Sequence, residues 1–112
     1  MENKKVQIEM YNSADEKVKV LFEISPMKNR WKYTEIISEA KAKTGNDEFK
    51  LAQEIAKGLF PEMVKSPKFE LIKKVSEDVS MTIDQQIKEY FINDPQKLIQ
   101  VVQVLMGFMK RD

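Results

Sequence analysis

Apolar and polar residues alternate at the start of the chain. Val6, Ile8 and Met10 are separated by Gln7 and Glu9, and Val18, Val20, Phe22 and Ile24 are separated by Lys19, Leu21 and Glu23. Successive side chains of a strand point to opposite faces, so each run presents one apolar face. Asn12-Ser13-Ala14-Asp15, between the runs, consists of turn-forming residue types. The pattern predicts a β-hairpin over residues 4–24. Two strands alone are marginal in water, so the apolar face needs a cover of helices or of another copy.

Beyond Ser25-Pro26 the apolar period becomes helical. Ser can cap a helix and Pro fits its first turn, and Tyr33, Ile36, Ile37 and Ala40 follow at helical spacing, with Trp31 nearby. Gly45 suits the left-handed conformation that ends a helix. Asn46 or Asp47 can cap a second helix with the stripe Phe49, Ala52, Ile55, Ala56, Leu59 and Phe60, closed by Gly58 and Pro61. A second Ser-Pro pair, Ser66-Pro67, predicts a short helix with Phe69, Ile72, Val75 and Val79 on one side. Thr82 and Gln85 have the spacing of a capping box and open a helix carrying Ile83, Ile87, Tyr90 and Phe91.

Asp94-Pro95 predicts the start of a last helix over about residues 95–110. Its polar residues Gln96, Gln100, Gln103, Gly107 and Lys110 fall on one narrow stripe, and nearly everything else is apolar. A helix apolar around most of its girth must be covered on several sides. It is therefore expected to be a central core helix or part of an interface. The expected fold class is α+β and mostly helical. An N-terminal β-hairpin precedes about five α-helices in one compact domain, with residues 1–112 as a single domain and 26–110 as its helical part.

Composition narrows the chemistry. The 112 residues include no His and no Cys, so there is no imidazole base, thiol nucleophile, thiolate zinc site or disulfide framework. Nineteen basic residues against eighteen acidic leave a net charge of +1, which gives no bulk attraction to nucleic acid or membrane. No apolar signal segment follows Met-Glu-Asn-Lys-Lys, and no run reaches the roughly 20 apolar residues of a membrane span. A cytoplasmic location is expected, without membrane association.

Three clusters could carry function. Glu77-Asp78 and the pair Asp84 and Glu89 could bind a metal or exchange protons, but both lie beside lysines, where solvated ion pairs are ordinary. No Gly-rich phosphate loop exists, since Gly45, Gly58 and Gly107 stand alone. The expectation is no catalytic residue, no cofactor and no metal. Lys28, Arg30, Trp31, Lys32 and Tyr33 combine cations with rings, which suits a nucleic-acid surface, although Glu35 and Glu39 on the same helix would repel phosphate. Met63, Met81, Met106 and Met109 join the apolar set, and Met recurs on surfaces that accept varied helical partners.

The order of elements resembles that of the phage tail assembly chaperones. The likeness comprises a β start (Val6–Ile24), Pro26-Met27-Lys28-Asn29-Arg30-Trp31 opening a long helix, an apolar helix ending in Leu59-Phe60, and a closing helix from Leu98-Ile99 through Val104-Leu105-Met106-Gly107. The extra helix expected over Pro61–Val79 and the near-neutral charge depart from that outline. The resemblance implies a non-enzymatic protein-binding factor that coats hydrophobic helical segments of a tape-measure-type client, in the cytoplasm of a bacterial host. The last helix would then form a groove wall or a self-association surface, with Leu98, Val102, Leu105, Met106 and Met109 as protein-binding contacts and a homo-oligomer as one outcome. The alternatives are a small nucleic-acid-associated regulator using the basic segment 28–43, and a phage-encoded inhibitor of a host protein.

Overall fold

A computed structural model describes residues 3–110. Strands β1 (Lys4–Tyr11) and β2 (Lys17–Ile24) form the expected hairpin, paired antiparallel with Val6 opposite Phe22, Ile8 opposite Val20 and Met10 opposite Val18. Asn12 organises its turn. The Asn12 side-chain oxygen accepts from the amides of Ala14 (3.0 Å) and Glu16 (2.9 Å). Asp15 supplies the one positive φ of the loop, which short polar side chains tolerate. The outer face carries Lys5, Gln7, Glu9, Lys17 and Lys19, and Glu9 pairs with Lys17 at 3.0 Å.

The chain stays extended through Ser25, whose amide donates to Met63 O at 2.8 Å. Helix α1 (Arg30–Thr44) starts four residues later than the first Ser-Pro suggested. Pro26 holds its predecessor in an extended conformation, and Asn29 caps the helix by accepting from the Lys32 amide at 3.0 Å. Gly45 ends α1, as its position predicted, at φ 60° and ψ −124°, a positive-φ conformation other than the left-handed helical one. Helix α2 (Glu48–Met63) is capped by Asp47 and runs two residues past Pro61, which lies in its final turn. Its buried stripe is Ala52, Ile55, Ala56, Leu59, Phe60 and Met63.

Strand β3 (Val64–Ser66) then joins β2, giving the sheet order β1-β2-β3. The helix expected after Ser66-Pro67 does not form. Strands β4 (Ile72–Lys74) and β5 (Ser80–Thr82) make a second antiparallel hairpin there, with Ile72 opposite Thr82 and Lys74 opposite Ser80. Helix α3 (Ile83–Tyr90) begins with the expected reciprocal capping box of Thr82 and Gln85. Helix α4 (Gln96–Met109) follows, although Asp94 does not cap it. The Asp94 carboxylate instead accepts from the Tyr11 amide at 3.1 Å. The described residues therefore hold four helices and two small antiparallel sheets, not one hairpin and about five helices.

The core lies between the inner face of the first sheet and the layer of α2 and α4. Ile8, Met10, Phe22 and Ile24 meet Ile55, Leu59, Phe60, Leu98, Val102 and Leu105. Helix α4 packs against both α2 and β1, while α1 packs on α2. At that last contact the missing side chain of Gly58 is required, since a Cβ there would stand 2.6 Å from Ile36 Cγ2. Five aromatic rings link the elements. Phe22, Phe60, Phe69, Tyr90 and Phe91 have neighbouring centroids 5.0–6.3 Å apart, a spacing at which tilted rings attract.

Candidate protein-binding surface

Four of the five side chains expected to meet a partner are core residues. Leu98, Val102, Leu105 and Met109 are buried by the chain's own sheet and by α2, and Met106 is half-buried. A partner cannot reach the buried four while α4 stays folded in place, so they are not a contact surface in this structure. The polar stripe was placed correctly: Gln96, Gln100, Gln103, Gly107 and Lys110 are exposed. It is flanked by half-buried Ile99, Val104, Met106 and Phe108. The α4 C-terminus is itself sealed from inside. Met27 is buried against it, and Arg30 donates to Met109 O at 2.9 Å.

Exposed apolar surface gathers instead on the second hairpin. Phe69 is anchored in the aromatic cluster, and from Leu71 onward the chain leaves the core. All ten residues from 71 to 80 are exposed. They include four large apolar side chains, with Leu71 68%, Ile72 67%, Val75 55% and Val79 53% accessible. The Val75 amide donates to Val79 O at 2.9 Å, so Val75 and Val79 are opposite each other at the tip, on the face of Lys73 and Met81. Ile72 lies on the other face with Lys74, Ser80 and Thr82.

A hairpin this small does not hold its shape by its own strands. Gln86 holds it. This buried side chain accepts from the Glu70 amide (3.1 Å) and donates to the carbonyls of Glu70 (2.8 Å), Met81 (3.1 Å) and Thr82 (3.2 Å). It thereby ties both strands at their base to α3. The Ile83 amide adds a bond to Leu71 O at 3.0 Å.

Two shallow grooves flank the hairpin. One, of about 580 Å³, runs between its base and the α1–α2 pair, past Ile36, Gly58, Pro61, Leu71 and Ile72. The other, of about 370 Å³, lies on the opposite face beside Pro67, Lys73, Met81, Gln86 and Tyr90. Lys68 and Lys73 line these grooves, but so do Glu62, Glu70 and Glu89, and Lys68 lies 3.7 Å from Glu70, while Glu77 and Asp78 form the tip. Burial pushes the Tyr90 phenol above its ordinary range.

The other sequence candidates are dispersed. Among the described residues no three acidic side chains converge as a metal site would need. Glu77 and Asp78 are on a hairpin tip, and Asp84 pairs with Lys88 at 3.0 Å. In the basic segment, Arg30 is occupied by Met109 O and Lys32 pairs with Glu62 at 2.8 Å. Tyr33 is half-buried, and only Trp31, 78% accessible, stands out as a free ring there. Leu71 and Gln86 drew no attention in the sequence. The β-branched residues around Ser76-Glu77-Asp78 were the available sign of a hairpin. Compared with known family models, curated proteins and solved structures, the chain matches none.

Proposed function

We propose that this protein is a non-enzymatic binding factor whose contact surface is the β4–β5 hairpin and the groove at its base. One observation carries the reading: a segment of ten exposed residues bears four large apolar side chains and is nevertheless held in a defined shape by Gln86. Scattered single apolar residues are normal on a surface, but four within ten residues of one hairpin concentrate apolar surface as a contact site does. The occupant is a hydrophobic helical segment of another protein, which lays its i, i+3, i+4 and i+7 residues into the groove.

Within this class, the tail-assembly-chaperone reading is the narrower proposal. It rests on the order of elements, with the hairpin in place of α4 as the client-binding part. The test is titration of the labelled protein with amphipathic helical peptides, followed by backbone NMR. Shifts should cluster at Leu71–Met81 and along Ile36 and Gly58. Leu71→Ser with Ile72→Ser should weaken binding by at least about tenfold while thermal stability stays near that of the unaltered chain, because both side chains line the groove and face water. Shifts elsewhere, or unchanged binding by the double variant, would overturn the assignment. Steep loss of binding with salt, matched by affinity for nucleic acid, would favour the regulator reading instead.

A further inference from the structure

Strand β1 is the outer strand of its sheet and bonds to β2 on one side only. The direction of two amides shows which residues look outward. Asn12 N–H donates across the hairpin to Glu16 O at 2.9 Å, whereas Tyr11 N–H donates the other way, to Asp94. Alternation therefore puts the backbone groups of Lys5, Gln7 and Glu9 on the open edge. Among the described residues those three amides have no acceptor. The edge is closed at its far end, where Asp94 holds the Tyr11 amide and Asn93 donates to Asn12 O at 2.9 Å.

We infer that β1 pairs antiparallel with β1 of a second copy, about a two-fold axis at Gln7, which joins two three-stranded sheets into one of six strands. An axis at Gln7 uses all three open residues. It sets Lys5 of each copy opposite Glu9 of the other, and Gln7 opposite Gln7. Charge complementarity thus selects a second copy as the occupant. The neighbouring registers lose it: one sets Lys5 against Tyr11, whose amide is already bonded, and the other sets Lys5 against Gln7. Lysine on an edge strand ordinarily discourages pairing, but here each Lys5 meets a carboxylate. The Glu9 carboxylate keeps one oxygen for this, since Lys17 engages Oε1. On the core side, half-buried Val6 meets Ile8 of the other copy. Helix α4, the helix packed against β1, then flanks the seam in both copies. This surface is separate from the β4–β5 hairpin and does not depend on its assignment.

Sedimentation equilibrium of the full chain tests the pairing with two charge variants. Lys5→Glu places glutamates opposite glutamates, and Glu9→Lys places lysines opposite lysines. Each alone should raise the dimer dissociation constant by about tenfold, with circular dichroism unchanged. An equimolar mixture should associate again, because Glu at position 5 then faces Lys at position 9 at one site and Glu9 faces Lys5 at the other. In the unaltered protein, hydrogen exchange at the Lys5, Gln7 and Glu9 amides should slow as concentration rises. A monomer up to about 1 mM, the scale of weak association, would overturn the inference. So would dimers of the single variants as tight as the unaltered protein, or edge amides that exchange at a concentration-independent rate.

Discussion

Gly58 and Gly107 are both helical, and their surroundings are opposite. A Cβ on Gly107 would meet nothing within 4 Å, while one on Gly58 would meet Ile36 Cγ2 at 2.6 Å. Glycine inside a helix costs about 0.5–1 kcal/mol relative to alanine. Gly107→Ala should therefore raise unfolding stability by about that amount in urea titrations. Gly58→Ala gains the same propensity but must move a β-branched side chain with one stiff torsion, and overpacking costs about 1–3 kcal/mol. A net loss is expected there. An equal gain at both sites would mean that α1 does not touch α2 at Ile36. The same contrast applies to cations: Arg30 serves the end of α4, whereas the Glu9–Lys17 pair, in which Lys17 holds the Glu9 carboxyl below its ordinary range, lies on the exposed face of the sheet. Exposed pairs contribute little to stability.

At the scale of elements, the β4–β5 hairpin is the feature with a function to test, and Gln86 is its support. Replacing Gln86 by Leu leaves the Glu70 amide and carbonyl without their side-chain partner and removes the bonds shared with Met81 O and Thr82 O. A loss of about 1–3 kcal/mol is expected, concentrated in the hairpin. Hydrogen exchange should accelerate at Lys73 and Val75 far more than in α2, and equal protection in both proteins would refute this role. The elements that sequence revealed are those with strong local signals. Strict alternation marked β1 and β2, Gly45 marked the end of α1, and the capping box marked α3. The second hairpin was hidden because Phe69, Ile72, Val75 and Val79 also fit a helical period. Their exposure removes the constraint that normally makes such a stripe informative: only Phe69 reaches the core. The burial of Leu98, Val102, Leu105 and Met109 was not legible for a related reason. A helix apolar on most sides is consistent with a core or an interface, and periodicity does not say that the N-terminal sheet encloses it.

For the whole molecule, the core depends on contacts between distant parts of the chain. Phe22, Phe60, Phe69 and Tyr90 bring together β2, α2, the segment before β4 and α3. Burial raises the Tyr90 phenol and, on the α1 side, the Tyr33 phenol. A folded-state value above the unfolded one means that the stabilisation is complete below the ordinary tyrosine range and is lost as pH rises through the folded value. Urea midpoints should accordingly fall in alkaline solution above the tyrosine reference of 10.0. Tyr90→Phe should flatten that fall, and an identical pH profile for the variant would show that the phenol is not involved. The position of α4 has a consequence in time. It follows the other described helices in chain order, yet it fills the space between β1 and α2. During synthesis, Ile8 and Met10 must wait bare beside Leu59 until α4 has left the ribosome. The interval before closure is when nascent chains are most prone to adhere to one another, and the strands made before α4 carry that risk.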